Sequence, residues 1–257
     1  MTRPPLPEAV KRAVRQRCYF GCVVCGLPIF DYDHIVEYAH VQEHVAENIT
    51  LLCPIHHRAK TNRRFNVAFI AEKNAKPFNA TRDFSPGYDV GSNRTLDIMV
   101  GSNRELTEIQ GPHSSGVVIS VNSRSYLSFR QEDGWMSFSA IVTDQKGSIV
   151  LRIIDGQMIA STSVWDLNYV GSRFTMRAKR GSVILDMTLT NHTLIVHQGS
   201  FIDIRDGTGF IAKEECLIQL LNGHEQGRLS GNSSGGSGRA SFALANQSVA
   251  PWSAIAR

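Results

Sequence analysis

Two short knuckles, Cys22-Val-Val-Cys25 and Cys53-Pro-Ile-His56, constrain this 257-residue chain more than any other feature. Each places two soft donors close enough for one tight turn to aim both at a single point. Two such turns, separated by 27 residues, supply the four ligands of a tetrahedral Zn²⁺. A metal staple of this kind lets a short segment fold without a large core, which fewer than about 70–80 residues rarely provide. Four of the five cysteines crowd into the first 53 residues. An odd, clustered count argues against a secreted disulfide scaffold and for metal binding in a reducing, cytoplasmic setting. Cys18 stands near the first knuckle at a poorer spacing, and a buried structural thiol is the expectation there.

A second group of polar residues lies between and after the knuckles. Asp33-His34-Ile35 follows the first, Asn48-Ile49-Thr-Leu51-Leu52-Cys53 leads into the second, and His56-His57-Arg58-Ala-Lys60 completes it. In this order, with Cys22-x-x-Cys25, these pieces resemble the HNH endonuclease family over roughly residues 10–65. The resemblance implies a ββα-metal fold in which two short strands, a loop and a helix grip one divalent ion. It implies His34 as general base toward the attacking water, and Asn48 as the residue that fixes the loop carrying His34. It further implies Asp33 and His57 as ligands of a catalytic Mg²⁺ or Mn²⁺, with Cys22, Cys25, Cys53 and His56 left to a structural Zn²⁺. His56 stands where many zinc-binding relatives carry Cys, and Cys₃His is an ordinary zinc set.

The chemistry asks for these residue types. Hydrolysing a phosphodiester needs an activated water, and an imidazole with an ordinary pKa of about 6.5 suits that task at neutral pH. It also needs charge neutralisation at the phosphate and the leaving 3′-oxygen, which a hard cation supplies. One carboxylate and one imidazole leave most of that cation's positions to water and phosphate oxygens.

The neighbouring residues are read more plainly. His40 and His44 are expected to be solvated or near substrate, and Glu37 serves equally well as a surface charge or as an orienting carboxylate. Arg58, Lys60, Arg63 and Arg64 ride the helix that carries His57. A catalytic ion there must meet phosphate, so these four cations are expected to contact nucleic-acid backbone. Nothing resembles a base-reading element, and weak sequence specificity is the expectation.

Charge supports this division. Residues 1–82 hold 12 Lys/Arg against 7 Asp/Glu, while the remainder of the chain is close to neutral. Excess positive charge in the first third suits a segment that meets a polyanion, here DNA. No apolar run approaches the roughly 18 residues needed to span a bilayer. The first 17 residues carry five cations and no apolar stretch, so neither membrane insertion nor a secretory leader is expected.

The fold class expected is α+β: a small zinc-stapled domain over 1–75, then a linker with first strands over 76–115. A β-rich domain follows over 116–222, and a flexible Gly/Ser-rich tail over 223–257. Helices are expected from Pro7, over Pro54–Arg64 and over Phe65–Lys73. Phe174, Met176 and Ala178 alternate with polar residues, as do Val183, Leu185, Met187 and Leu189, which is the period of a half-buried strand. Asp155-Gly156 and Asp206-Gly207 mark turns. An antiparallel sandwich fits this pattern, and so does a short parallel β-helix. Trp135, Trp165 and Phe174 are expected in the core, and Arg177, Lys179 and Arg180 on the wet side.

The function expected is metal-dependent cleavage of DNA, with the β-domain targeting, sensing a ligand or forming a homo-oligomer. By family analogy this suits host defence or a mobile element. The alternative is a non-catalytic zinc module that binds nucleic acid beside a β assembly or ligand-sensing platform.

Overall fold

The computed structural model describes residues 4–82, 90–91, 95–109, 111–160, 164–231, 233–234 and 241–250. The N-terminal part runs α1 (Glu8–Arg17), β1 (Asp31–His34), α2 (Tyr38–Val41), β2 (Ile49–Leu52), α3 (Pro54–Thr61) and α4 (Val67–Ala75). Pro7 presets the extended entry to α1, and Pro54 occupies the first turn of α3, where its missing N–H costs nothing. Asn66 caps α4 by accepting from the Phe69 N–H. β1 and β2 form an antiparallel pair with Asp33 opposite Thr50 and His34 opposite Ile49. The buried apolar cluster beneath them is small: Val14, Cys18, Cys22, Val23, Ile35, Ile49, Leu51, Leu52, Cys53 and Ile70. Three of its members are knuckle or near-knuckle cysteines, as expected of a domain that relies on a staple. Cys18 is buried, and burial raises its thiol pKa.

From Val90 onward the described residues form two sheets of 7 and 10 strands. The first runs Gln157–Ala160, Ile149–Ile154, Trp135–Thr143, Arg124–Glu132, His113–Val121, Phe242–Leu244, with Val90–Gly91 pairing Trp135–Thr143. The second runs Asp166–Val170, Arg173–Lys179, Ser182–Leu189, Thr193–Ile202, Gly209–Lys213, Cys216–Leu221, His224–Leu229, with Thr95–Val100 pairing Thr193–Ile202 and carrying Asn103–Glu108 and Ser233–Ser234 beyond it. Side chains of both sheets share one core, with Leu127, Met136, Val142 and Leu151 from the first and Leu185, Met187, Val196, Phe201 and Phe210 from the second. This is a sandwich. Where strands consecutive in sequence pair, they pair antiparallel, which excludes the parallel β-helix.

Tight turns set the register. Asp155-Gly156 has φ of 47° and 77° between paired Ile154 and Gln157, the two-residue turn that matches strand twist. Asn122-Ser123 and Asn222-Gly223 do the same elsewhere. Asp206-Gly207 instead sits inside a longer loop between Asp203 and Thr208. Gly101 joins Thr95–Val100 to Asn103–Glu108 at φ 59°, and a Cβ there would lie 2.5 Å from the Cys216 carbonyl oxygen.

Three expectations differ from what folds. Trp135 is 60% exposed, because the parity of its strand sends Met136, Ala140 and Val142 inward. Ala178 is exposed, since register shifts after Met176 break the alternation. Beyond residue 222 the chain is not simply a tail: His224–Leu229 closes the second sheet, and Phe242–Leu244 pairs parallel with His113–Val121. Polar bonds hold that last strand. The Asn246 backbone N–H donates to Asn122 Oδ1 at 2.8 Å, and its side chain donates to Asp206 and Asn222 at 2.8 and 2.7 Å. The run 235–240 lies outside the described residues.

Helix α1 joins the two parts. Arg15 donates to both oxygens of Asp166 at 2.8 Å and to the Tyr32 hydroxyl at 2.5 Å. Arg12 lies 4.2 Å over the Trp165 ring, and Gln16 donates to the Trp165 carbonyl at 2.6 Å. Pro28 meets Phe138, Tyr169 and Phe174 around a cavity of about 30 Å³.

Candidate metal centre and catalytic site

The two knuckles close on one another. Cys22 and Cys25 precede β1, and Cys53 and His56 stand where β2 passes into α3. Their four donor atoms all lie within 4.8 Å of one another. His56 Nδ1 is 3.4 Å from Cys22 Sγ and 3.2 Å from Cys53 Sγ, and the Cys25 and Cys53 sulfurs are 3.8 Å apart. Bond lengths of about 2.3 Å to sulfur and about 2.0–2.1 Å to nitrogen give tetrahedral edges of about 3.8 and 3.6 Å. The donor set therefore fits Zn²⁺ in both chemistry and spacing. A hydrogen bond from the Cys25 thiol pulls Cys22 down to about 5 and correspondingly raises Cys25, while burial raises Cys53. One sulfur thus already favours the thiolate form that a metal requires. Phe65 packs 5.8 Å from the His56 ring and stacks on Phe69, covering the cluster on its α3 side.

His57 follows His56 by one helical step of about 100°, and that rotation separates their tasks. His57 Nε2 lies 3.4 Å from Asp33 Oδ1, and its Nδ1 is 3.8 Å from Asp31 Oδ2. Asp33 and His34 are the last two residues of β1, opposite Thr50 and Ile49 of β2. A carboxylate oxygen and an imidazole nitrogen at this separation suit a hard cation that keeps its other positions for water and phosphate.

His34 is 5% exposed and packs edge-on against Tyr38 at 5.4 Å. Asn48 holds the backbone that follows it. The Asn48 side chain accepts from the Val36 N–H at 2.8 Å and donates to the Val36 carbonyl at 2.9 Å, while its own carbonyl accepts from Ile35 at 2.8 Å. These three bonds clamp the loop like an added strand rung. Arg17 supports the other side by donating to the carbonyls of Ala46, at 2.7 Å, and Ile49.

The four expected phosphate cations separate. Arg58, Arg63 and Arg64 are exposed. Lys60 turns inward, and its ammonium donates to Asp33 Oδ2 and to the His34 carbonyl. The signal was present in the sequence, since Lys60 lies three residues after His57 and shares its helix face. His44 and Tyr38 also gather at His34, although spacing alone gave them no role. Glu37 is exposed at the start of α2, and His40 is exposed within it. No helix of the described residues is long and apolar enough to cross a membrane.

Comparison with known proteins adds one finding. Residues 22–63 match the HNH endonuclease family, a short segment that includes both knuckles, β1, β2 and α3. No curated protein and no solved structure matches the chain.

Proposed function

With an HNH endonuclease domain at residues 22–63 as premise, we propose that the chain is a metal-dependent endonuclease hydrolysing DNA phosphodiester bonds. The carrying observation is the contact of Asp33 with His57 between β1 and α3, next to His34 in sequence and beside the separate Cys₃His cluster. His34 removes a proton from water, whose oxygen forms a new bond to phosphorus as the bond from phosphorus to the 3′-oxygen breaks. Solvent returns a proton to that oxygen. Asp33 and His57 would hold Mg²⁺ or Mn²⁺, which supplies charge neutralisation at the phosphate and the leaving oxygen. Asn48 keeps the His34 loop in register. Cys22, Cys25, Cys53 and His56 would hold the structural Zn²⁺ that compensates for the small core. Arg58, Arg63 and Arg64 contact the backbone of the DNA, and the sandwich directs the domain, by ligand sensing or self-association, in host defence or in a mobile element.

A second reading is a zinc module that binds nucleic acid without turnover. The Lys60 ammonium favours it, because it already neutralises Asp33.

Incubating purified protein with supercoiled plasmid and Mg²⁺ or Mn²⁺, beside His34→Ala and an EDTA control, tests both. Nicking or linearisation that is lost in His34→Ala and in EDTA is the expected result. Full activity in His34→Ala overturns the mechanism, and binding without cleavage selects the second reading.

A further inference from the structure

The outer face of the first sheet carries an exposed indole that its neighbours leave open. Trp135 lies opposite Glu132 on one side and opposite Gly91 on the other. A residue directly opposite on the same face normally crowds its partner. Gly91 has no side chain, and among the described residues nothing lies within 4 Å of where its Cβ would stand. The indole N–H has no hydrogen-bond partner among the described residues.

The ring borders a depression of about 310 Å³ whose other walls are Arg130, Glu132, Asp133, Ser137 and Asp155. Two of these are held in place. Arg130 Nη2 is 3.0 Å from Asp155 Oδ2. Ser139 donates to Asp155 Oδ1 at 3.4 Å and accepts from the Asp155 backbone N–H at 3.0 Å. A single exposed apolar side chain needs no explanation. This one stands beside a hollow rimmed by fixed donors and acceptors, which is how small-ligand sites are built.

Charge decides what fits. Three carboxylates against one guanidinium repel phosphate, so a nucleic-acid strand stacking on Trp135 lacks the positive groove it needs. A cation held over the indole would face Arg130 in the same hollow. A neutral polyhydroxylated ring meets neither obstacle. Its hydroxyls can accept from Arg130 and the indole N–H, donate to Glu132, Asp133 and Asp155, and do both with Ser137. A pyranose whose hydroxyls are equatorial also turns a flat face of axial C–H groups outward, and that apolar face suits an indole.

We propose that this hollow is a saccharide site, in which a neutral, β-linked, gluco-configured pyranose stacks on Trp135 while Arg130 and the carboxylates bond its hydroxyls. This names a ligand class for the sandwich and does not depend on the nuclease reading, because every residue of the site belongs to the first sheet and its turns.

Titrating the zinc-loaded full chain with cellopentaose, laminaripentaose and N-acetylchitopentaose tests it, followed through indole ¹H–¹⁵N resonances. The chain has three tryptophans, and Trp135→Phe identifies the resonance of Trp135. At least one sugar is expected to shift that resonance saturably and to leave that of Trp165 in place. Calorimetry with the same sugar reads affinity. Trp135→Ala, with an unchanged β signal in circular dichroism, is expected to bind at least about tenfold more weakly. Arg130→Met keeps the ring, removes the donors and is expected to lose about fivefold. Tetramethylammonium and oligo-dT are titrated in parallel. The proposal is overturned if none of the three sugars moves the Trp135 resonance, or if Trp135→Ala binds as tightly as the unaltered chain. A stronger response to tetramethylammonium or oligo-dT overturns it in favour of a cation or a nucleic acid. A Trp135 shift that follows protein concentration without any ligand overturns it in favour of a second copy of the chain.

Discussion

Arg15 and Asp166 form a two-point ion pair, each contact 2.8 Å, that fastens helix α1 to the edge strand of the sandwich. Both side chains are nearly sealed from water, at 3% and 5% exposure. Burial works against the guanidinium charge, and bonds to Asp166 and Tyr32 overcome it, so the Arg15 pKa is raised. Tyr32 lies between Asp31 and Asp33 on β1, so the same guanidinium that grips the sandwich also steadies the strand carrying the site.

The two partners are not equivalent, and this gives the first prediction. Asp166→Leu strands a buried cation and should cost about 3–5 kcal/mol. Arg15→Met should cost less, because Arg12 remains 4.0 Å from Asp166 and can take over part of its charge. Urea unfolding followed by tryptophan fluorescence measures both. Equal losses below about 1 kcal/mol would refute the claim that this pair is the fastening.

Asn48 gives the second. Asn48→Ala removes both side-chain bonds to Val36 and lets the His34 loop shift. Cleavage should fall about 10²-fold, mainly in kcat, since misplacement of about 1 Å carries that penalty. Zinc content should stay unchanged, because the Asn48 side chain is bonded to Val36 rather than to the cluster. An Asn48→Ala variant that cuts at the normal rate would remove Asn48 from the mechanism.

The third concerns the cluster. Cys25→Ser should abolish binding of one zinc per chain, read by elemental analysis, and should unfold the N-terminal part while the sandwich retains its β signal in circular dichroism. Chelation of the unaltered protein should do the same reversibly. A chain that keeps full N-terminal order after losing its metal would show that the ten-residue apolar cluster suffices without a staple.

How much of this was legible depends on the range of the interactions. The donors of the knuckles, Asp33, His34, Asn48 and His57 lie within 36 residues, and their types and spacing carry the chemistry directly. The split between His56 and His57 follows from helical rotation alone. His44 was not legible, because its position against His34 depends on a loop fold and on Pro4, far earlier in the chain. In the sandwich, period-two alternation placed Leu185, Met187 and Leu189 correctly inside, yet no local pattern announces that Thr95–Val100 runs parallel to Thr193–Ile202. The last strand escaped for a different reason. Composition measures apolar burial, whereas Asn246 is held by amide and carboxylate bonds.

That polar network supplies the final prediction. Asp203 is fully buried; burial pushes its carboxyl up, but bonds from Arg205 and Asn122 outweigh this and hold it at about 2. Arg205 also donates to the Ala250 carbonyl at 2.8 Å, and Asn122 accepts from the Asn246 backbone, so this carboxylate anchors the C-terminal strand. The folded pKa lies below the unfolded value of about 3.9, so the contribution is fully present above about pH 4 and is lost as pH falls toward 2. Its size is about 2–3 kcal/mol. Thermal unfolding between pH 5 and 2 should therefore fall more steeply in the unaltered protein than in Asp203→Asn, which starts lower and lacks this titration. Parallel curves for the two proteins across that window would show that Asp203 is not the carboxylate whose protonation loosens the sandwich.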